Sequence, residues 1–187
     1  MVGEHLVGFP GFPGFPGWRR YICLLDSDLL ISDDYILTLE QATMNINFVP
    51  KTVDIFAINT FTLREIILFI AYHLVRQNKA ARNYEGFCQF KIGDGTKCAV
   101  GFCIPNERYQ PKFESDSVVS SFVKIFGIDI TPDRLDVLIA FQAIHDQNRD
   151  TKMWKYLIIE KFQSYFDDLS ELKEAIKAGI AARARKD

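Results

Sequence analysis

The residues best suited to chemistry are three cysteines that lie close together, Cys88, Cys98 and Cys103, and a histidine followed by an acid, His145-Asp146. A cysteine nucleophile needs an imidazole to take its proton and a third group to orient that imidazole, so Cys98 with His145 is the pair to consider for a hydrolase. If the chain pairs about Asp94, Phe90 faces Cys98 and Cys88 faces Val100. Cys88 and Cys98 then share one face as diagonal neighbours, about 7–8 Å apart. That is close enough to share a zinc ion, with Cys103 or a histidine completing a tetrahedron. Each idea has a plainer counterpart. Free cysteines are usually small buried hydrophobes, and the spacing Cys-x9-Cys-x4-Cys fits no common structural zinc pattern. His145 sits at the edge of an apolar helix face, where histidines mostly pack. Asp146 is its immediate neighbour, and helix neighbours point about 100° apart, so it is not expected to orient the ring. No phosphate loop, dinucleotide fingerprint, zinc-protease helix, nucleophile elbow or calcium loop occurs. The expectation is therefore no catalytic residue, no metal and no cofactor, with Cys98–His145 and Cys88–Cys98–Cys103 as the alternative readings.

The elements that would position these residues change character along the chain. Gly8 to Gly17 repeats Gly-Phe-Pro, at a spacing that favours polyproline II but with too few triplets for a triple helix. From Arg20 to Ile58, bursts of β-branched and aromatic residues alternate with Asp/Ser/Asn clusters, the pattern of antiparallel strands. Thr62-Leu63-Arg64-Glu65 is a capping box, and Leu63, Ile66, Ile67, Ile70 and Leu74 follow on one helical face as far as about Lys79. Phe87 to Ile104 reads as a β-hairpin turning at Gly93-Asp94-Gly95. Helices are expected over Ser117–Phe126, after Thr131-Pro132, after Asp150, and from Ser170.

The fold expected is α+β, with antiparallel N-terminal strands, a central helix plus β-hairpin, and a helical C-terminal third. Residues 1–18 form a repeat arm, 19–169 a single domain, and 170–187 a C-terminal helix whose charges fall at surface spacing, with a basic tail.

A chain of 187 residues can bury about 70% of its unfolded surface, so its core needs no disulfide or metal. A hydrophobic share of 48% with 25% charged residues excludes intrinsic disorder as the general state. The longest apolar run, Ile66 to Tyr72, is far below the ~20 residues of a bilayer span, so no membrane role is expected. A net charge of −2 offers no field for nucleic acid. Four cysteines, Cys23 included, without a secretory head point to free thiols in the cytoplasm.

The run Phe87-Cys88-Gln89-Phe90, then Gly95-Thr96-Lys97-Cys98-Ala99-Val100-Gly101, then Ile104-Pro105-Asn106-Glu107-Arg108-Tyr109, resembles a segment of uncharacterised phage and bacterial proteins. Those carry C-x-[YF], a glycine turn, K-C-A-[VI]-G and I-P-[DN]-E-x-Y. The likeness covers about residues 60–165. It implies an α+β module of phage or bacterial origin, located in the host cytoplasm or the virion, and no mechanism. Asn106 stands where aspartate is common in that pattern.

Protein–protein interaction is the function expected, as a host-factor or defence inhibitor or a virion component, with homo-oligomerisation as a further option. A cysteine/histidine hydrolase or thiol–metal module is the alternative. Tyr109 with Arg108, on the loop after the hairpin, is the first expected partner-binding surface. Phe9, Phe12 and Phe15 on the repeat arm are the second.

Overall fold

Thr62 starts the central helix, Leu63–Gln77 (α1), through a complete capping box. Its hydroxyl accepts from Glu65 N–H, and the Glu65 carboxylate accepts from Thr62 N–H at 2.8 Å. The structure, a computed structural model, describes residues 47–115, 127–147 and 150–185. After α1 come helices Pro132–Gln147 (α2), Trp154–Phe162 (α3) and Ser170–Ala184 (α4). α1 is buried around most of its circumference, from Ile66 through Ala71 and again at Leu74 and Val75. It packs chiefly against α4, and also against α2 and α3.

α4 belongs to this bundle despite its charge. Leu172, Ala175, Ile176 and Gly179 face inward. Gly179 permits the close crossing: a Cβ there would lie 2.5 Å from Val75 Cγ2 and 2.6 Å from Tyr72 O. Arg64 and Glu171 join the two helices at the rim through a two-pronged ion pair. Phe141 of α2 stacks on Phe162 of α3 with ring centroids 4.2 Å apart. Arg134 ties the start of α2 to the turn before α1, donating to the Ile58 and Phe61 carbonyls.

The α+β expectation is corrected by this structure. Among the described residues there is no strand and no sheet, only two isolated antiparallel bridges, Arg82 with Cys88 and Lys91 with Lys97. The expected strand Val53–Ile58 is instead a 3-10 helix, Ile55–Thr60, capped by Asp54, whose carboxylate accepts Phe56 N–H at 2.9 Å. Ile55 and Ile58 are three apart, so that helix buries both on one side.

The expected hairpin keeps its turn and loses its ladder. Ile92 N–H reaches Thr96 O, and Cys98 N–H reaches Phe90 O, so the turn centres on Asp94 as read. Beyond Cys98 the chain coils into the 3-10 helix Val100–Cys103. Two physical reasons are visible. Cys98, Ala99, Val100 and Gly101 are all buried, and a strand with one solvated face cannot bury successive residues. The Phe90 N–H, which would extend the ladder to Cys98 O, is instead taken by a side chain, and side chains also bind the outward-facing N–H groups of Lys91 and Lys97. Glu114 accepts from Phe90 N and Lys91 N at 2.9 and 3.0 Å, and Gln77 Oε1 accepts from Lys97 N at 2.9 Å.

The expected strands before residue 47, the Gly-Phe-Pro arm with Phe9, Phe12 and Phe15, and the Ser117–Phe126 helix lie outside the described residues.

Candidate functional site: a thiol–imidazole clasp beneath an aromatic turn

α1 ends at Asn78 in the left-handed conformation (φ 50°), a geometry asparagine tolerates. The chain then runs across the end of α2, where His145 waits, fully buried at 0% exposure. Its ring leans on Trp154, 5.5 Å between centroids. Ala81 N–H donates to His145 Nε2 at 3.0 Å. A nitrogen that accepts a hydrogen bond carries no proton, so the neutral ring holds its proton on Nδ1. That nitrogen meets Asp146 Oδ1 at 2.8 Å and Cys88 Sγ at 3.7 Å. Gln142, one turn earlier on α2, sends Nε2 to Cys88 Sγ at 2.8 Å and to both Asp146 oxygens at 3.0 Å.

The neighbour rule thus fails at His145-Asp146. Nδ1 lies close to the ring's own backbone attachment, and Gln142 draws the carboxylate round toward it. Asp146 therefore does orient the ring.

Electrostatics keep this group quiet. The neighbouring Cys98 thiol and burial push the Cys88 thiol well above the usual cysteine range, against a smaller pull from His145. Burial works against charge on both His145 and Asp146. Their mutual hydrogen bond nevertheless moves the histidine upward and the carboxylate downward. The Ala81 N–H opposes charging of the ring, because imidazolium would set donor against donor.

The arrangement does not make a nucleophilic triad. A triad places the thiol on one ring nitrogen and the carboxylate on the other. Here both approach Nδ1, and Nε2 is occupied by a backbone donor. Cys98, the cysteine first considered with His145, is fully buried with its sulfur accepting Gly101 N–H at 3.3 Å. Cys103 is also buried, and burial pushes its thiol up to about 12. Among the described residues, the metal-type grouping is Cys88 with His145 and Asp146, in place of Cys88 with Cys98 and Cys103.

The clasp holds up a turn. Arg82 pairs with Cys88 in a single bridge, and Gln89 N–H reaches Ala81 O. Between them, Asn83 Oδ1 accepts from Glu85 N and Phe87 N, while Gly86 takes φ +87°. Arg82 braces the turn from below, donating to Gly86 O and to the Asp146 carbonyl on α2. On this stiff support Tyr84 is 96% exposed and Phe87 64%. The sequence reading places Phe87 at the start of the expected hairpin and gives neither ring a binding role. Two aromatics inside a polar connection with Asn/Gly turn residues were the available signal.

Tyr109 and Arg108 are placed differently from a free interface pair. The Tyr109 hydroxyl donates to Glu114 Oε1 at 2.7 Å, and its ring meets Phe113 edge-on. Arg108 lies over the Phe56 ring at 4.5 Å and pairs with Asp54 at 3.7 Å.

No helix among the described residues is long and apolar enough to cross a membrane. In comparisons with known proteins, no family model, no curated protein and no solved structure matches this chain.

Proposed function

We propose that the chain works as a protein-interaction factor, docking through the turn from Arg82 to Cys88. The observation that carries this reading is the pair Tyr84 and Phe87: two large aromatics held in solvent by a turn whose own backbone bonds are satisfied. An exposed Leu or Phe needs no explanation by itself, but two exposed aromatics on one pre-ordered turn have the composition of interface anchors. Little ordering entropy would be lost on docking, because Asn83 and Arg82 already fix the loop. The partner chemistry that suits it is a protein surface with an apolar slot for two rings.

A photo-crosslinking residue at position 84, compared with one at Met153, tests this in the source cell. Met153 is also exposed but lies on another element. A discrete adduct from position 84, absent from position 153 and lost with Phe87→Ser, is the expected result. The Tyr84→Ser, Phe87→Ser double variant should melt within about 2 °C of the parent, since surface changes cost little. Equal adducts from both positions, or none from position 84, reject the reading.

A further inference from the structure

The sulfur of Cys88, a ring nitrogen of His145 and a carboxylate oxygen of Asp146 lie within 4.8 Å of one another. Zinc bonds to such atoms are about 2.0–2.3 Å long, so one small ion placed among them needs only modest side-chain adjustment. The donor types also agree: thiolate, imidazole and carboxylate together suit a borderline-soft divalent ion better than calcium or magnesium.

A second observation points the same way. Gln142 is 6% exposed, and its Oε1 is buried with no hydrogen-bond partner among the described residues. The same amide's nitrogen donates to both Cys88 and Asp146, so the orphaned oxygen sits at the rim of this cluster. Buried polar oxygens are seldom left unpaired. A water held in the fourth position of a three-ligand ion would be a donor at that rim.

We propose that Cys88, His145 and Asp146 form a binding site for a single thiophilic divalent cation of the zinc class. Three side chains supply ligands, and the fourth position opens outward beside Asp146, which is 37% exposed. Gln142 is a positioning residue, bridging the sulfur and the carboxylate.

The protons balance simply. On binding, the Cys88 thiol gives its proton to solvent. The His145 ring proton leaves Nδ1, the only ring nitrogen that faces Cys88 and Asp146, and Nε2 becomes the protonated nitrogen. Ala81 N–H then loses its acceptor. Metal loading and the Ala81 anchor therefore compete for one tautomer, and the ion should loosen the strand of chain that leads into the Tyr84 turn. This inference stands apart from the identity of any docking partner.

The probe is cobalt(II), added to the full-length chain with its thiols reduced. One equivalent should produce a thiolate-to-cobalt charge-transfer band in the near ultraviolet with tetrahedral d–d bands, and zinc should displace both. Cys88→Ser should remove the charge-transfer band and weaken binding at least about 100-fold, whereas Cys98→Ala and Cys103→Ala should keep the band. Asp146→Asn preserves shape and carries the test if Cys88→Ser fails to fold; it should weaken binding by about 10- to 100-fold. Hydrogen exchange at the Ala81 amide should speed up on zinc loading. Substoichiometric cobalt without a charge-transfer band, a band that survives Cys88→Ser, or one that vanishes with Cys98→Ala overturns the site.

Discussion

The α1–α4 pair and the connection from Asn78 to Ser115 are held by different physics. Within the helix pair the backbone satisfies itself, and close apolar contact does the rest. In the connection, backbone groups have no regular ladder, and individual side chains stand in for it: Gln77 at Lys97, Glu114 at Phe90 and Lys91, His145 at Ala81, Asn83 at Phe87. A bundle of this kind tolerates polar changes at its rim and suffers from volume changes. The connection should show the reverse sensitivity, except where its own chain crosses itself.

The largest expected effect is at such a crossing. A Cβ on Gly101 would lie 1.9 Å from Phe90 O, against rigid backbone on the far side of the turn. Gly101→Ala should cost about 3 kcal/mol or more, because neither chain can shift without breaking the bond from Cys98 N–H to Phe90 O. Gly179→Ala is its counterpart in the bundle. The helix gains about 1 kcal/mol of propensity from alanine, yet the new methyl meets Val75 Cγ2 and Tyr72 O. The net loss should be smaller, about 1–2 kcal/mol, since Val75 can turn and α4 can slide. Urea denaturation of both variants ranks them; a larger loss at Gly179 would show that the helix pair, and not the connection, is the stiffer region.

The next effect isolates the side-chain substitutes. Glu114→Ala removes one acceptor group from three donors: Phe90 N, Lys91 N and the Tyr109 hydroxyl. The expected cost is about 2 kcal/mol, as partly buried amides lose a charged partner. Tyr109→Phe removes only the hydroxyl and should cost about 1 kcal/mol or less. Burial and the Glu114 carboxylate hold the Tyr109 hydroxyl protonated well above the usual tyrosine range, so it stays a donor in alkaline solution. If Glu114→Ala melts with the parent, water replaces the carboxylate without loss and the connection does not depend on it.

The same contrast explains what the sequence could reveal. The helices were legible because their signals are local: the Thr62–Glu65 capping box, Thr131-Pro132, and Asp150, whose carboxylate accepts Lys152 N–H. The connection was misread because its residues have strand-like composition, while its fate was decided by partners distant in the chain. β-propensity measures fit to a pleated, half-buried surface, and no such surface forms here. The turn at Asp94 was legible, since Asp94 Oδ1 bonding Thr96 N–H is again a local signal. At the candidate site, the sequence pairs His145 with Cys98 as an alternative, whereas the structure sets Cys88 beside it. Pairing Cys88 with His145 depends on Ala81 crossing the end of α2, and nothing in the spacing reports that crossing. Tyr84 and Phe87 were passed over because exposure is a tertiary property.

The smallest effect is a pH dependence seated where the two regions touch. His73 of α1 packs among Phe69, Tyr72 and Phe102, the last of these in the 3-10 helix Val100–Cys103. Burial, then the nearby charges of Arg76 and Lys97, lower its pKa from 6.5 to about 4. Between those values the unfolded chain binds a proton that the folded chain refuses, so acidification favours unfolding. The stability due to neutral His73 is therefore complete above pH 6.5 and is lost as pH falls through about 4. His73→Phe keeps a ring among the aromatics and removes the proton site. Its melting temperature should fall less steeply than the parent's from pH 6.5 to 4.5, with the two converging in shape above pH 7. Parallel curves across that interval would mean that His73 protonates in the folded chain as readily as in the unfolded one, and that the contact between α1 and the connection is open enough to hydrate it.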